Sequence, residues 1–296
     1  MMSSSDLGVS LLQMTSTGDP KENTAVVTKA LHDMKGLCLF VPENSLFFNT
    51  KSGPILLEEA FDRESSVINE LQESCRGLGK SLHLGGIPWR KNGRVYNCAV
   101  LIRETGVLEE TYCKTHLFDL ELDAVKVKES ESFAPGHQLS VFKIGNWTFA
   151  TAICYDLRFA ELFAFYRAQY NVDAFVVPSA FTAKTGEAHW ETLLRARAIE
   201  SQSYVLAPAQ VGEHLSQDGS RSRKTWGQTL AIGPWGGTLA EDNHILEREN
   251  SKKMTSKPIN LVLKRDALGD VRKAMPMGQH RAFTIDLESR CQREEF

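Results

Sequence analysis

The segment WTFATAICYDLRFAEL, residues 147–162, joins a strand pattern, a cysteine and the start of a helix. Its apolar run 147–153 predicts a buried strand, and a helix is predicted from Phe159 to Gln169. Cys154 therefore stands at the carboxyl end of a strand, where open α/β sheets collect their ligands and reacting groups. A cysteine in that place is more often a buried apolar residue, so Cys154 alone is only a candidate nucleophile.

The rest of the chain alternates short apolar runs with helical segments, which predicts an α/β fold with mixed sheets covered by helices. Gly145-Asn146 lies between two strand patterns and predicts a hairpin. The segment 240–257 is polar and charged, which predicts an exposed insertion or loop. Besides 159–169, the predicted helices cover 21–34 with Asp19 as N-cap, 56–78, 189–202 and 267–273.

Two more chemically useful residues follow apolar strand patterns. Glu43 follows LCLFVP (37–42), and Lys114 follows VLEETYC (107–113). A carboxylate can take the proton of a thiol, which is mostly protonated at neutral pH. An ammonium can hold the oxyanion that forms when sulfur attacks a carbonyl. Each residue alone is more often a structural charge, and spacing does not decide between the two interpretations.

Composition limits the classes of binding partner and the cellular compartment that we expect for the protein. The chain of 296 residues has a formal net charge of −3, so no basic surface predicts nucleic acid or an anionic membrane as a partner. No apolar run reaches the ~18 residues of a membrane span. The N-terminus lacks a secretory pattern and the arginines of a transit peptide, so we expect a cytoplasmic protein, with a mitochondrial form left open. Six scattered cysteines without a CxxC pair predict reduced thiols and no metal site.

From about residue 6 to Arg281 the chain resembles the nitrilase (carbon–nitrogen hydrolase) superfamily. The strings that carry the resemblance are VPE (41–43), KTHLFD (114–119), ICYDLRFAEL (153–162), and PSAF with AHWETLLRARAIESQ (within 178–202). The resemblance implies a four-layer α-β-β-α sandwich with mixed sheets, and a homodimer or homotetramer. It implies one domain over 6–281 with a charged insertion at 240–258. The tail 282–296 is extra, and its apolar FTIDL could add an edge strand.

The same resemblance implies a catalytic triad that hydrolyses non-peptide carbon–nitrogen bonds in linear amides. Glu43 is implied as the general base, Lys114 as the residue that stabilises the oxyanion, and Cys154 as the nucleophile. No metal or organic cofactor is implied. Cys113 stands where the family usually has arginine, which removes a charge beside the lysine.

Two further groups are implied around the triad. The family often carries a second glutamate ahead of a Pro-Gly turn, and Glu129 in KESESFAPG matches it, with Glu131 as the competitor. Its implied role is to position Lys114 and the attacking water. The backbone N–H of Tyr155 would hold the oxyanion together with the lysine.

Arg158 lies four residues after Cys154. If a helix begins near Tyr155, Cys154 and Arg158 share one face of it, and the guanidinium can bind a substrate carboxylate in a bidentate manner. The alternative is a structural salt bridge to Asp156 or Glu161. Resemblance to the Nit branch implies the first interpretation, because that branch binds an α-carboxylate with this arginine.

The Nit-like strings also imply a substrate. Phe181 and Thr185 match the loop that lines it, and SLHLGG (81–86), LLRARAIE (193–200) and APAQVGEH (207–214) resemble enzymes that hydrolyse deaminated glutathione to 2-oxoglutarate and Cys-Gly. The alternative is an ω-amidase that acts on 2-oxoglutaramate or 2-oxosuccinamate. A true nitrilase or carbamoylase is disfavoured by Arg158, and a non-catalytic binding or scaffold protein is disfavoured by the intact triad.

Overall fold

The computed structural model describes residues 5–51, 53–122, 125–216, 219–245, 257–283 and 292–293. The strands are β1 Leu7–Leu11, β2 Cys38–Phe40, β3 Ser81–Lys91, β4 Arg94–Ile102, β5 Leu108–Cys113, β6 Asp119–Leu122, β7 Val125–Lys128, β8 Gln138–Leu139, β9 Phe142–Ile144, β10 Trp147–Thr151, β11 Ala174–Val176, β12 Tyr204–Ala207, β13 Val211–Leu215, β14 Ser222–Ile232, β15 Thr238–Ile245, β16 Ile259–Leu263 and β17 Gln292–Arg293. The helices are α1 Pro20–Asp33, α2 Ser66–Leu78, α3 Ala160–Tyr170, α4 Ala183–Ser201, α5 Arg265–Ala274 and α6 Met277–His280. None of the helices in these ranges is long and apolar enough to cross a bilayer.

Two mixed sheets form the body of the protein. The first has the order β16-β1-β2-β3-β4-β5, and the second runs β13-β14-β12-β11-β10-β9 with β15 beside β14. Parallel pairing joins β1, β2 and β3 in the first sheet and β10, β11 and β12 in the second. The remaining pairs within these two sheets are antiparallel. The predicted α/β fold with mixed sheets is confirmed.

The alternation of side chains along each strand explains why the sheets have apolar contacts on both faces. In β11, Phe175 packs against α3 and α4, whereas Ala174 and Val176 face the other sheet. In β2, Leu39 belongs to the core under α1 and α2, whereas Phe40 lies between the sheets. Three apolar cores therefore separate four layers in the order helices, sheet, sheet, helices.

Local signals placed several elements correctly. The Asp19 side chain caps α1 by accepting hydrogen bonds from the backbone N–H groups of Lys21 and Glu22, and Pro20 occupies the first helical position. The Gly145-Asn146 pair joins β9 to β10 in an antiparallel hairpin. These two predictions are confirmed. The sequence could predict them because each depends only on residues that are neighbours in the chain.

Two helix boundaries were wrong. The helix predicted over 56–78 begins at Ser66, because the Asp62 carboxylate accepts bonds from the Glu64 N–H and the Ser65 hydroxyl and holds a turn there. The helix predicted from residue 189 already begins at Ala183. The helix continues through Gly186. A glycine stands there because a Cβ at this position would lie 2.2 Å from Trp226.

The predicted loop from residue 240 is wrong for 240–245. These residues belong to β15, which pairs with β14 and satisfies its backbone groups in spite of its polar composition. Residues 246–256 of the predicted insertion lie outside the described part of the chain. Of the tail, FTIDL falls mostly outside it, and Gln292–Arg293 pairs with β8.

The prediction of reduced thiols is wrong for one pair. Cys98 on β4 and Cys113 on β5 are directly opposite in the strand register, and a disulfide joins them. Cross-strand neighbours come close enough for this bond without any sequence motif. Cys38, Cys75 and Cys154 are free, and Cys291 lies outside the described residues.

Candidate active site

Three predicted residues meet in one cavity between the two sheets. Glu43 follows β2 and Lys114 follows β5 in the first sheet, whereas Cys154 follows β10 in the second. All three line a cavity of about 400 Å³, a volume typical of small-molecule sites. The site exists only because the apolar core between the sheets brings these strand ends together.

Lys114 is the centre of a buried charge cluster. Its side chain is 2% exposed, and its Nζ donates to Glu43 Oε1 at 3.1 Å and to both oxygens of Glu129 at 2.9 and 2.8 Å. Glu129 is held further by the Phe118 N–H at 2.6 Å. Glu131, the competitor, is 58% exposed and pairs with Lys128. Of the two glutamates, only Glu129 reaches the cluster.

Besides the bond from Lys114, two further donors hold the Glu43 carboxylate. Asn97 Nδ2 donates to its Oε1 at 2.9 Å, and the Ala180 N–H donates to its Oε2 at 2.9 Å. Asn97 Nδ2 also reaches Glu129 Oε1 at 3.0 Å and so bridges the two carboxylates. Sequence reasoning missed Asn97. Its signal was an amide inside the apolar strand VYNCAVLI (95–102), because a buried amide needs a polar partner.

Gly86 makes room for this arrangement. Its φ is +49°, and a Cβ there would lie 2.5 Å from Asn97 Oδ1 and 3.1 Å from Glu43 Cγ. The pairing of β3 with β4 is irregular between Leu84 and Ile87, which brings the backbone of β3 against the site. Glycine is therefore required at this position by both conformation and space.

Cys154 has an unusual backbone conformation. Its φ is +50°, in the left-handed region, and it opens a 3₁₀ turn over Cys154–Arg158. The helix considered from Tyr155 therefore does not form, whereas the helix predicted from Phe159 begins at Ala160. Non-glycine residues in this region store roughly 1–3 kcal/mol and cluster at functional sites. Among the described residues the Tyr155 N–H has no hydrogen-bond acceptor, so it is free to receive an oxyanion beside the sulfur.

Asp156 anchors this turn, which sequence reasoning also missed. Its carboxylate is fully buried and accepts from the Ile153 N–H, the His116 N–H and Nδ1, and the Tyr112 hydroxyl, at 2.7–3.1 Å. Each carboxylate oxygen accepts two hydrogen bonds, so Asp156 has no acceptor site left for an arginine. Asp156 therefore fixes the conformation in which Cys154 is presented.

The charges set the resting protonation state. Burial opposes ionisation of Glu43, but Lys114, followed by the hydrogen bonds from Asn97 and Cys154, holds the pKa of its carboxyl below the ordinary value. Burial and then the Glu43 charge raise the pKa of the Cys154 thiol. Burial opposes protonation of Lys114, yet Glu129 and Glu43 raise its pKa. The resting site thus holds a neutral thiol, an ionised Glu43 carboxylate and an ammonium.

Arg158 does not form the structural salt bridge considered above. Neither Asp156 nor Glu161, both described, pairs with its half-buried guanidinium. The guanidinium instead lies 5.9 Å from the ring centre of Tyr155 and 5.6 Å from that of Phe181. Its Nη1 and Nη2 each lie 3.4 Å from His189 Nδ1, so the guanidinium has a histidine partner and aromatic contacts but no carboxylate partner among the described residues.

The predicted lining residues Phe181 and Thr185 are in the cavity wall. The Thr185 hydroxyl is 2.8 Å from that of Thr182. The charged side chains of the lining are six cations against three acids: Lys51, Lys114, Lys128, Arg158, Arg221 and Arg223, with Glu43, Glu129 and Glu131. In a chain of net charge −3, this local excess of positive charge favours an anionic ligand.

Comparison with known proteins agrees with the geometry. The model of the carbon-nitrogen hydrolase family matches residues 8–245. The chain is 33% identical over 290 residues to deaminated glutathione amidase of Yersinia enterocolitica, covering 95% of each chain. It is 36% identical to deaminated glutathione amidase of Rattus norvegicus, covering 78% of this chain and 72% of that one.

Solved structures agree as well. The NitFhit protein of C. elegans superimposes with a TM-score of 0.80 at 29% identity, covering 95% of this chain and 66% of that one. A nitrilase superfamily protein of Saccharomyces cerevisiae gives 0.71 at 25% identity, covering 94% and 97%. The chain therefore belongs to the carbon–nitrogen hydrolase family of the nitrilase superfamily, the hydrolases of non-peptide carbon–nitrogen bonds.

Proposed function

We propose that this protein is a cysteine amidase that hydrolyses deaminated glutathione to 2-oxoglutarate and Cys-Gly. The observation that carries the proposal is the combination, in one cavity, of the Cys154 thiol and the Glu43 carboxylate with an Arg158 guanidinium that has no carboxylate partner among the described residues. The thiol and the carboxylate supply the chemistry of amide cleavage, and the guanidinium supplies recognition of the α-carboxylate on the acyl side of the substrate. Relatives named deaminated glutathione amidase at 33–36% identity support the choice of substrate.

The first half-reaction forms a thioester. Glu43 takes the thiol proton of Cys154 while the sulfur attacks the amide carbonyl. The Lys114 ammonium and the Tyr155 N–H hold the oxyanion of the tetrahedral intermediate. As this collapses, the carbon–nitrogen bond breaks and Glu43 returns its proton to the leaving amine, Cys-Gly. The acyl group remains on sulfur as a thioester.

The second half-reaction releases the acid. Glu43 takes a proton from water, and the resulting hydroxide attacks the thioester carbonyl. The carbon–sulfur bond breaks, 2-oxoglutarate leaves, and the proton on Glu43 returns to sulfur. Glu129 acts through Lys114, because both its oxygens accept from Nζ and keep the ammonium charged and fixed through the two steps.

Substrate profiling tests the proposal. We expect wild type to hydrolyse deaminated glutathione with a higher kcat/KM than 2-oxoglutaramate. Cys154→Ala should lose at least ~10⁴-fold in kcat on both, because among the described residues that line the cavity no other cysteine could replace it as nucleophile. Cys75→Ala is the matched control, since it removes a buried thiol in α2 that does not line the cavity. Acid quench of wild type with substrate should show the acyl mass on the peptide that contains Cys154.

Three outcomes contradict parts of the proposal. Turnover that survives in Cys154→Ala removes the nucleophile assignment. A strong preference for 2-oxoglutaramate identifies an ω-amidase. Failure of wild type to turn over either amide, with the fold intact, leaves a nitrilase or carbamoylase, or a non-catalytic binding protein.

A further inference from the structure

A second guanidinium lines the cavity away from the Cys154 turn. Arg223 lies on β14, half-buried, with its guanidinium 5.5 Å from the ring centre of Phe48. Phe48 is stacked on His214 at 3.7 Å with nearly parallel planes. The cation is therefore supported by two buried rings, much as Arg158 is supported by Tyr155 and Phe181.

The lower ring of this stack is fixed in place. His214 Nδ1 donates to the backbone carbonyl of Ser16 at 2.8 Å, and its Nε2 accepts from the Thr225 hydroxyl at 2.8 Å. Both ring nitrogens are thus used, and the ring has no freedom to turn. Arg223 consequently packs on a rigid pair of rings, so its own side chain loses little conformational entropy when it binds a ligand.

Arg223 has no anionic partner in the parts of the chain that the structure describes. Two other cations of the same lining are already paired, Lys51 with Glu59 and Lys128 with Glu131. A guanidinium that is ordered by aromatic contacts, half-removed from water and left unpaired favours binding of an anion from solution.

We propose that Arg223 is a specificity-determining residue that binds the terminal carboxylate of the leaving group. This inference rests on the proposed function. Deaminated glutathione carries two carboxylates, one on the acyl side, assigned to Arg158, and one on the glycine of Cys-Gly. The short amide 2-oxoglutaramate releases ammonia and has no group that could reach a second cation. The neighbouring Arg221, which also lines the cavity, adds positive charge to this leaving-group subsite.

The experiment compares wild type, Arg223→Ala and Lys224→Ala on three amides: deaminated glutathione, the same molecule with its glycine carboxylate converted to a carboxamide, and 2-oxoglutaramate. Lys224 is the adjacent exposed residue of β14 and does not line the cavity, so it controls for loss of one positive charge. We expect wild type to lose about 10- to 100-fold in kcat/KM on the carboxamide, as for one charged hydrogen bond.

Arg223→Ala should lose a similar factor on deaminated glutathione, and at least tenfold more there than on 2-oxoglutaramate. It should no longer distinguish the carboxylate from the carboxamide. Equal losses on all three amides, or a wild type indifferent to the carboxamide, would overturn the subsite while leaving the proposed function intact. If wild type hydrolyses none of the three, the proposed function falls and this inference falls with it.

Discussion

Two groups of charged residues line the cavity: Lys114, Glu43 and Glu129, here called the floor, and Arg158 and Arg223, here called the wall. The floor residues are paired with one another, whereas the wall residues have no carboxylate partner among the described residues. On the floor, Lys114 and Glu43 are buried, Glu129 is partly buried, and the three pair with one another before any substrate arrives. On the wall, Arg158 and Arg223 are half-buried, carried by aromatic rings, and have no carboxylate partner among the described residues. The floor is arranged to hold a fixed protonation state, and the wall is arranged to receive a charge from outside.

This difference predicts which substitutions should affect stability as well as turnover and which should affect turnover alone. A change on the floor leaves a buried charge without its partner and should damage both folding and turnover. A change on the wall removes only a contact that substrate makes, and should affect kcat/KM with little effect on stability.

The largest effect is expected for Lys114→Met. It leaves the buried Glu43 carboxylate and the partly buried Glu129 carboxylate without their shared cation, so we expect a loss of about 3–5 kcal/mol in the free energy of unfolding together with loss of turnover. Urea denaturation measures the first. The double variant Lys114→Met/Glu129→Gln should regain part of the stability and none of the activity. A single variant as stable as wild type contradicts the idea that the floor is held together by its charges.

Next comes Glu43→Gln, which keeps the shape and the bond from Ala180 but cannot accept a proton. We expect kcat to fall by about 10²–10⁴-fold. Because Lys114 holds the Glu43 pKa below its ordinary value, the wild-type base stays ionised down to that lowered pKa, and activity should fall only as pH drops through it. A pH–rate profile of kcat/KM, limited to the pH range in which the protein stays folded, checks this. An acid limb near neutral pH would contradict the assignment.

His214, which stacks on Phe48 beneath Arg223, gives a prediction for the pH dependence of stability. Burial, reinforced by the charge of Arg223, lowers the pKa of His214 to about 4. The unfolded chain binds this proton below pH ~6.5, and the folded protein does so only below pH ~4. Stability should therefore be full above pH ~6.5 and fall by about 3 kcal/mol as the pH drops to 4.

His214→Gln isolates that contribution. It should be less stable than wild type at pH 7, but its free energy of unfolding should depend less steeply on pH between 6.5 and 4. Buried His83, whose pKa burial lowers to about 3, adds the same acid sensitivity to both proteins and cancels in the comparison. Parallel pH profiles for the two proteins would show that His214 does not titrate as described.

Arg158→Ala tests recognition on the wall. We expect a loss of ~2–3 kcal/mol of transition-state binding, seen as a fall in kcat/KM for every substrate with an α-carboxylate. The melting temperature should stay close to that of wild type. Unchanged kcat/KM would return Arg158 to a structural role.

The smallest effect is expected for Lys51→Ala. Its side chain is 61% exposed at the cavity mouth and already pairs with Glu59, and exposed pairs contribute only about 0–1 kcal/mol. We expect less than about a twofold change in kcat/KM. A larger loss would mean that the mouth, and not only the wall, binds the substrate.

The features that the sequence predicted depend on local patterns, and the features that it missed depend on contacts between distant parts of the chain. Glu43, Lys114 and Cys154 were candidates because each follows an apolar strand pattern, and the resemblance of the surrounding strings to the nitrilase superfamily selected them. The cap at Asp19 was found because its partners are the next residues in the chain. Such signals need no knowledge of distant pairing.

The missed features all depend on partners far along the chain. Asn97 is defined by Glu43 and Glu129, at separations of 54 and 32 residues. Asp156 looked like a partner for Arg158, and only the fold shows that donors from another strand occupy it. Arg223 gave no signal, because nothing in its neighbourhood in the sequence indicates the cavity.

The dependence of Glu43 on distant residues has a consequence for protein synthesis. Its carboxylate is held by the Ala180 N–H, 137 residues later, and its carbonyl by the Gln210 side chain, 167 residues later. The base therefore cannot be positioned while the ribosome is still producing the second sheet. The nascent chain carries Cys154 for some time as an ordinary, unactivated thiol, and hydrolytic activity begins only when translation has passed residue 210 and the two sheets have docked.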